Sequence, residues 1–173
     1  KTHDRTMYTD AFKVAGTGET YEYMRMIAHL PMLLHPEAKS ACVVGLGTGT
    51  TAGALALWPL EKLDIVELCP EVARGTPYFK RANRGLMDRI GKDPRLRLLF
   101  DDGTAYLRST RSSYDVIVAE PLNTHMTGAS SLYSQEFYEA ARARLNPGGV
   151  VTQWIPIHGV KPEDFNSYGA RRG

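Results

Sequence analysis

Five short runs of strand-forming residues, 41–44, 63–68, 95–100, 115–119 and 150–155, recur along the chain, separated mostly by stretches with helical character. Ala41-Cys42-Val43-Val44 and Asp115-Val116-Ile117-Val118-Ala119 are nearly continuous in apolar residues instead of alternating, the pattern of strands buried on both faces. Strands that alternate with helices are joined by right-handed crossovers into a parallel sheet covered on both sides. The expected fold class is therefore α/β, a doubly wound and mostly parallel sheet of Rossmann-like type.

Punctuation residues set the intervening elements. A helix is expected from about Thr51 to Trp58, stopped by Pro59. A second begins at Pro70, where the missing N–H is harmless, and runs to about Lys80. Residues 81–94 read as a polar, Arg-rich connection closing at Asp93-Pro94. Thr104 to Ser109 is a short helix, and Ser134 is placed as the N-cap of a helix to Leu145. Asn146-Pro147-Gly148-Gly149 reads as the turn after it. Ahead of the sheet, residues 6–14 are β-prone and end at the turn Gly16-Thr17-Gly18. Tyr23, Met26, Ile27, Leu30 and Leu34 recur at helical spacing over 20–34, with Pro31 marking a kink or an early end. The expected division is 1–18 as a remnant N-terminal strand and turn, 19–160 as a nucleoside-binding α/β domain and 161–173 as a tail, the fold being truncated at both ends.

Composition narrows the function classes. The 173 residues suit one domain, and 43% hydrophobic with 23% charged residues is an ordinary globular balance. Lys plus Arg is 21 against 19 for Asp plus Glu, a net +2, which argues against nucleic acid as a partner. Only Cys42 and Cys69 are present, both in segments expected to be buried, so neither a disulfide framework nor a Cys-based metal site is expected. No apolar run reaches the roughly 18 residues of a membrane span, and the start is unlike a signal peptide. A cytoplasmic protein without a membrane partner is the expectation.

In doubly wound sheets, ligands bind beyond the carboxyl ends of the strands, and the first strand-to-helix turn is the place to look. Here it reads Val44-Gly45-Leu46-Gly47-Thr48-Gly49-Thr50-Thr51. Glycines let backbone approach a ligand closely, although a tight turn also wants them for geometry alone. The nicotinamide fingerprint requires a different third position, and this G-x-G-x-G spacing suits a nucleoside without a pyrophosphate. Glu67 ends the second strand, where an acid can accept from ribose hydroxyls, or be a solvated charge. Asp101-Asp102-Gly103 ends the third, where Asp102 can accept from an adenine amino group, or simply form a turn. Together these three features point to an adenosine-type ligand. The fourth strand ends in Glu120 and a long loop of small residues. Glu120 there either takes a proton from an amine or orients the loop, and His125 reads equally as exposed or catalytic.

At this point the chain resembles the spermidine synthase family of polyamine aminopropyltransferases. The resemblance runs through Tyr23-Met24-Arg25-Met26-Ile27-Ala28-His29-Leu30-Pro31, the 45–49 loop, Val66-Glu67-Leu68, Asp93-Pro94-Arg95, Asp102-Gly103, Tyr114-Asp115-Val116-Ile117, Leu132-Tyr133-Ser134, Glu136-Phe137-Tyr138 and Leu145-Asn146-Pro147-Gly148-Gly149. In detail, Val66 to Glu71 and Gln153-Trp154-Ile155-Pro156 are similar to bacterial spermidine-synthase-like proteins. The family implies a class I methyltransferase-type fold that binds decarboxylated S-adenosylmethionine, no metal, a small-molecule amine as acceptor and a homodimer. Carried across, Gly45, Gly47, Thr48, Gly49, Glu67, Asp102 and Gly103 bind the S-adenosyl ligand, with Glu67 on ribose and Asp102 on adenine. Glu120 and Tyr23 are catalytic, and Asn123 and Tyr133 contact the amine.

Three positions depart from the family pattern. Thr48 stands where an Asp usually binds the cofactor's amino group, Asn123 replaces a second loop acid, and Met24-Arg25 replace a polar residue and a Glu. An uncharged Thr48 near Arg25 suits a ligand that keeps its carboxylate, such as S-adenosylmethionine itself. The leading expectation is aminopropyl transfer. The alternatives are S-adenosylmethionine-dependent methyl transfer and a catalytically silent binding domain.

Overall fold

The computed structural model describes residues 4–9, 12–18, 21–120 and 130–155. Two strands, β1 (Thr6–Thr9) and β2 (Phe12–Gly16), pair antiparallel at the start. The single remnant strand expected over 6–14 is therefore a hairpin, in which each strand supplies the backbone partners that a lone strand would lack. Helix α1 (Tyr21–Leu34) follows, then β3 (Ser40–Val44), α2 (Thr50–Leu55), β4 (Lys62–Glu67) and α3 (Pro70–Gly75), which continues into a 3-10 turn, Thr76–Phe79. A short helix α4 (Leu86–Arg89) precedes β5 (Leu96–Phe100), α5 (Gly103–Ser109) and β6 (Tyr114–Ala119). A 3-10 turn, Ser130–Tyr133, leads into α6 (Gln135–Ala143) and β7 (Leu145–Gln153).

The main sheet has the order β5-β4-β3-β6-β7, and each neighbouring pair is parallel. The expected doubly wound sheet is present. Its strand order reverses at β3 and β6, so their carboxyl ends frame the crevice where such folds place a ligand. One core layer joins Ala28 and Met32 of α1, Leu55 of α2 and Leu86 of α4 to Val43, Ile65 and Val116. The other joins Tyr106 and Leu107 of α5 and Phe137 of α6 to Cys42, Val66, Tyr114 and Ile117.

Pro31 lies inside α1, which continues to Leu34 and so does not end early. A proline cannot bond the carbonyl four residues back, and here Thr152 of β7 donates its hydroxyl to that Ile27 carbonyl at 3.3 Å. The polar connection expected over 81–94 contains α4 and the fully buried Leu86. Residues 146–149 are not a turn between elements but a bulge inside β7. Leu145 pairs with Tyr114 and Val150 with Val116, and the four residues between them bow out. Asn146 Nδ2 ties the bow to Asp115 Oδ1 at 2.7 Å. Any Cβ on Gly149 would lie 3.0–3.1 Å from the carbonyls of Asn146, Asp115 and Tyr114, so only glycine sits there without displacement.

Toward the amino end of the sheet, Asp64 is wholly buried. Arg97 donates to both its oxygens at 2.7 and 2.9 Å, and Tyr114 and Tyr106 donate at 2.6 and 2.9 Å. Burial by itself would raise this carboxyl, but the bonds from Arg97, Tyr114 and Tyr106 hold it below its ordinary value.

Candidate functional site

The crevice rim is built by backbone bonds that continue each strand past its end. Gly45 N–H donates to Val66 C=O at 2.8 Å, Glu120 N–H to Val44 C=O at 3.1 Å, Asp101 N–H to Glu67 C=O at 3.1 Å and Trp154 N–H to Ala119 C=O at 3.1 Å. Gly45, Glu67, Asp101 and Glu120 therefore lie on one edge, as the sequence arrangement anticipates.

Gly45, Gly47 and Gly49 all take positive φ, at 95°, 50° and 76°. Each also meets protein closely. A Cβ would lie 3.2 Å from Glu120 C=O at Gly45, 3.3 Å from Ala15 Cβ at Gly47 and 3.0 Å from Thr76 Cγ2 at Gly49. The fold alone thus accounts for glycine at these positions, and the case for a ligand rests on the acids and hydroxyls beside them.

Glu67 is 8% exposed. Its two carboxylate oxygens accept from Leu46 N–H and Cys69 N–H, both at 2.8 Å, which pins the glycine loop to the end of β4. Each oxygen keeps a further lone pair for a hydroxyl donor. Asp102 caps α5, its Oδ1 accepting from Ala105 N–H at 2.9 Å. Gly103 packs against β3, since a Cβ there would sit 2.3 Å from Val44 Cγ1. Thr104, next in α5, carries the one buried side-chain oxygen or nitrogen without a hydrogen-bond partner among the described residues. The Thr48 hydroxyl turns inward, sharing a 2.8 Å bond with Thr50 and facing Met24 Sδ at 3.7 Å.

Glu120 gathers the remaining chemistry. Tyr23 and Thr51 both hydrogen-bond its carboxyl group. Burial pushes that carboxyl up to about 7, the bonds from Thr51 and Tyr23 opposing the rise. The Tyr23 phenol is itself raised well above its usual value, by burial first and then by Glu120. Thr51 also lies 3.1 Å from Met24 C=O. A hydroxyl has a single hydrogen. When Glu120 is protonated it can donate to Thr51 while Thr51 donates to Met24 C=O. Ionised Glu120 instead competes for the hydroxyl hydrogen. Tyr23 stacks on Trp154, and Tyr133 donates to Trp154 C=O at 3.2 Å, so the two tyrosines meet through the end of β7.

The structure thus brings together Tyr23, Glu120, the glycine loop and Glu67, with Asp102 and Gly103 one strand further out and Tyr133 behind Trp154. Asn123 and His125 lie outside the described residues. Sequence reasoning missed Thr51, Trp154 and Thr104 as site residues. Thr51 follows the glycine loop directly, and Trp154 lies inside a motif noted for resemblance alone, so position was the available signal.

The strand order and the turn at its reversal define a Rossmann-like fold of the class I methyltransferase type. Residues 20–155 match the spermine/spermidine synthase domain, and the chain belongs to that family. It is similar to a polyamine aminopropyltransferase of Nitrosomonas europaea, 33% identical over 158 residues, covering 89% of this chain and 47% of the relative. A putrescine N-methyltransferase of Nicotiana tabacum is 32% identical over 151 residues, covering 82% and 37%. A crystal structure of spermidine synthase in complex with the transition state analogue AdoDATO superposes with a TM-score of 0.75 at 26% identity, over 86% of this chain and 50% of that one. The chain spans about half the length of such relatives.

Proposed function

We propose that this chain binds an S-adenosyl ligand in the crevice beyond β3, β4, β5 and β6 and transfers its aminopropyl group to a small-molecule amine. The observation that carries this reading is the Glu120 carboxyl, raised to about 7 and bonded to Tyr23 and Thr51 beside the glycine loop. A group poised near neutrality is suited to accept a proton from an amine. The residues present fit the ligand. Glu67 has lone pairs for the ribose hydroxyls, and Asp102 Oδ2 has no partner among the described residues and suits the adenine amino group.

The bound ligand supplies a carbon activated by its sulfonium. Glu120, oriented by Thr51 and Tyr23, takes the proton released as the amine nitrogen bonds to that carbon, and the carbon–sulfur electron pair stays on sulfur. Tyr133 and Asn123 are assigned to the amine. The decarboxylated ligand, the absence of a metal and a cytoplasmic homodimer belong to the same proposal.

Methyl transfer from S-adenosylmethionine is the second reading. It is favoured by the uncharged, inward-turned Thr48, which sets no like charge against a ligand carboxylate. Incubation with putrescine and each ligand form, followed by chromatography, separates the two. Methylthioadenosine from the decarboxylated ligand is expected. S-adenosylhomocysteine would establish methyl transfer, and calorimetric binding without either product would establish a silent domain.

A further inference from the structure

The glycine loop is held from behind by two side chains that no sequence pattern marks. Thr76 Oγ1 lies 3.0 Å from Gly47 C=O and 2.8 Å from Val72 C=O, sharing its hydrogen between them. Asn83 Nδ2 donates to Thr48 C=O and to Thr76 C=O, both at 3.0 Å. Its Oδ1 accepts from Gly85 N–H at 3.1 Å and Leu86 N–H at 3.3 Å. The side-chain amide is thereby saturated. Asn83 is 1% exposed and Thr76 fully buried, and a Cβ on Gly53 would fall 2.3 Å from Asn83 C=O, so neither has room to drift.

This grip decides where the loop's N–H groups point. In a trans peptide, the carbonyl and the next N–H face opposite ways, and the described chain has no cis peptide. Holding Gly47 C=O toward Thr76 turns Thr48 N–H away from Thr76. Holding Thr48 C=O toward Asn83 turns Gly49 N–H away, and it donates to Leu46 C=O at 2.7 Å. The Thr48 N–H has no partner among the described residues.

We infer that Thr76 and Asn83 are positioning residues for the ligand: they fix two successive loop carbonyls and so hold the glycine loop in the shape that lines the crevice. This rests on the reading of the crevice as an S-adenosyl site. The test is Thr76→Val, which keeps the shape and removes the hydroxyl, beside Thr76→Ser, which restores it. Binding of methylthioadenosine and of S-adenosylmethionine is measured by calorimetry, with melting curves as a control. Thr76→Val should weaken binding about threefold to tenfold, the worth of one neutral hydrogen bond, with Thr76→Ser within about twofold of the unmodified chain. Equal affinity in Thr76→Val, or equal weakening in both variants, would overturn the inference while leaving the site intact. If the unmodified chain bound neither molecule, the functional reading and the inference would fall together.

Discussion

The rings of Tyr23 and Trp154 lie 4.0 Å apart and 17° from parallel, joining α1 to the end of β7. The phenol that bonds Glu120 is therefore braced by an indole from the far side of the sheet reversal. Aromatic pairs contribute about 0.5–1.5 kcal/mol beyond their burial. Trp154→Ala should raise KM for the amine and lower kcat severalfold, while Trp154→Phe preserves both. Unaltered kinetics in Trp154→Ala would show that the stack does not hold Tyr23 in place.

Glu120 should leave a signature in both stability and rate. Its carboxyl rises from 4.5 to about 7 on folding, so the neutral form is favoured in the native chain. That contribution is fully present below about pH 4.5 and is lost as pH rises through 7, a change on the order of 3 kcal/mol. Glu120→Gln should remove this slope and melt higher than the unmodified chain at pH 8. Turnover should meanwhile fall about 10²–10⁴-fold, and kcat/KM of the unmodified chain should climb through pH 7. Identical pH–stability curves for the two chains would exclude Glu120 as the titrating group.

Glu67→Gln places an amide where two backbone N–H groups and a proposed ribose converge. One of the N–H partners then faces another donor, and the charge-assisted bonds are lost. Affinity for methylthioadenosine should drop by about 1.5–3 kcal/mol. Calorimetry decides this, and an unchanged Kd would remove Glu67 from the ligand contacts.

Gly103 and Val44 should be coupled. Gly103→Ala brings a Cβ within 2.3 Å of Val44 Cγ1 and 3.3 Å of Leu132 Cδ2, an overpacking of about 1–3 kcal/mol. Val44→Ala clears the first clash. The double variant should therefore be more stable in urea than the sum of the single losses implies, and strict additivity would show that the helix had already shifted.

What the sequence disclosed was local. Glu67 and Glu120 could be placed at strand ends because each closes an apolar run that is complete within a few residues. Pro31 does not stop α1, and the partner of the Ile27 carbonyl that it leaves free, Thr152, lies 125 residues away. Asn83 was invisible for the same reason, since its worth depends on carbonyls from two other segments. The 146–149 bulge carried every mark of a turn, and only its pairing with β6 on both sides distinguishes it.

Asp64 and its tyrosine and arginine partners sit toward the amino end of the sheet, whereas Glu67, Glu120 and the glycine loop close its carboxyl end. Rigidity and the proposed chemistry thereby lie at opposite poles of the same strands. Such a chain can be diversified at one pole without loosening the other, which makes it an evolvable host. Libraries confined to the loops after β5 and β6 should yield folded variants with altered acceptor choice, and those that touch Asp64 should yield mainly insoluble ones.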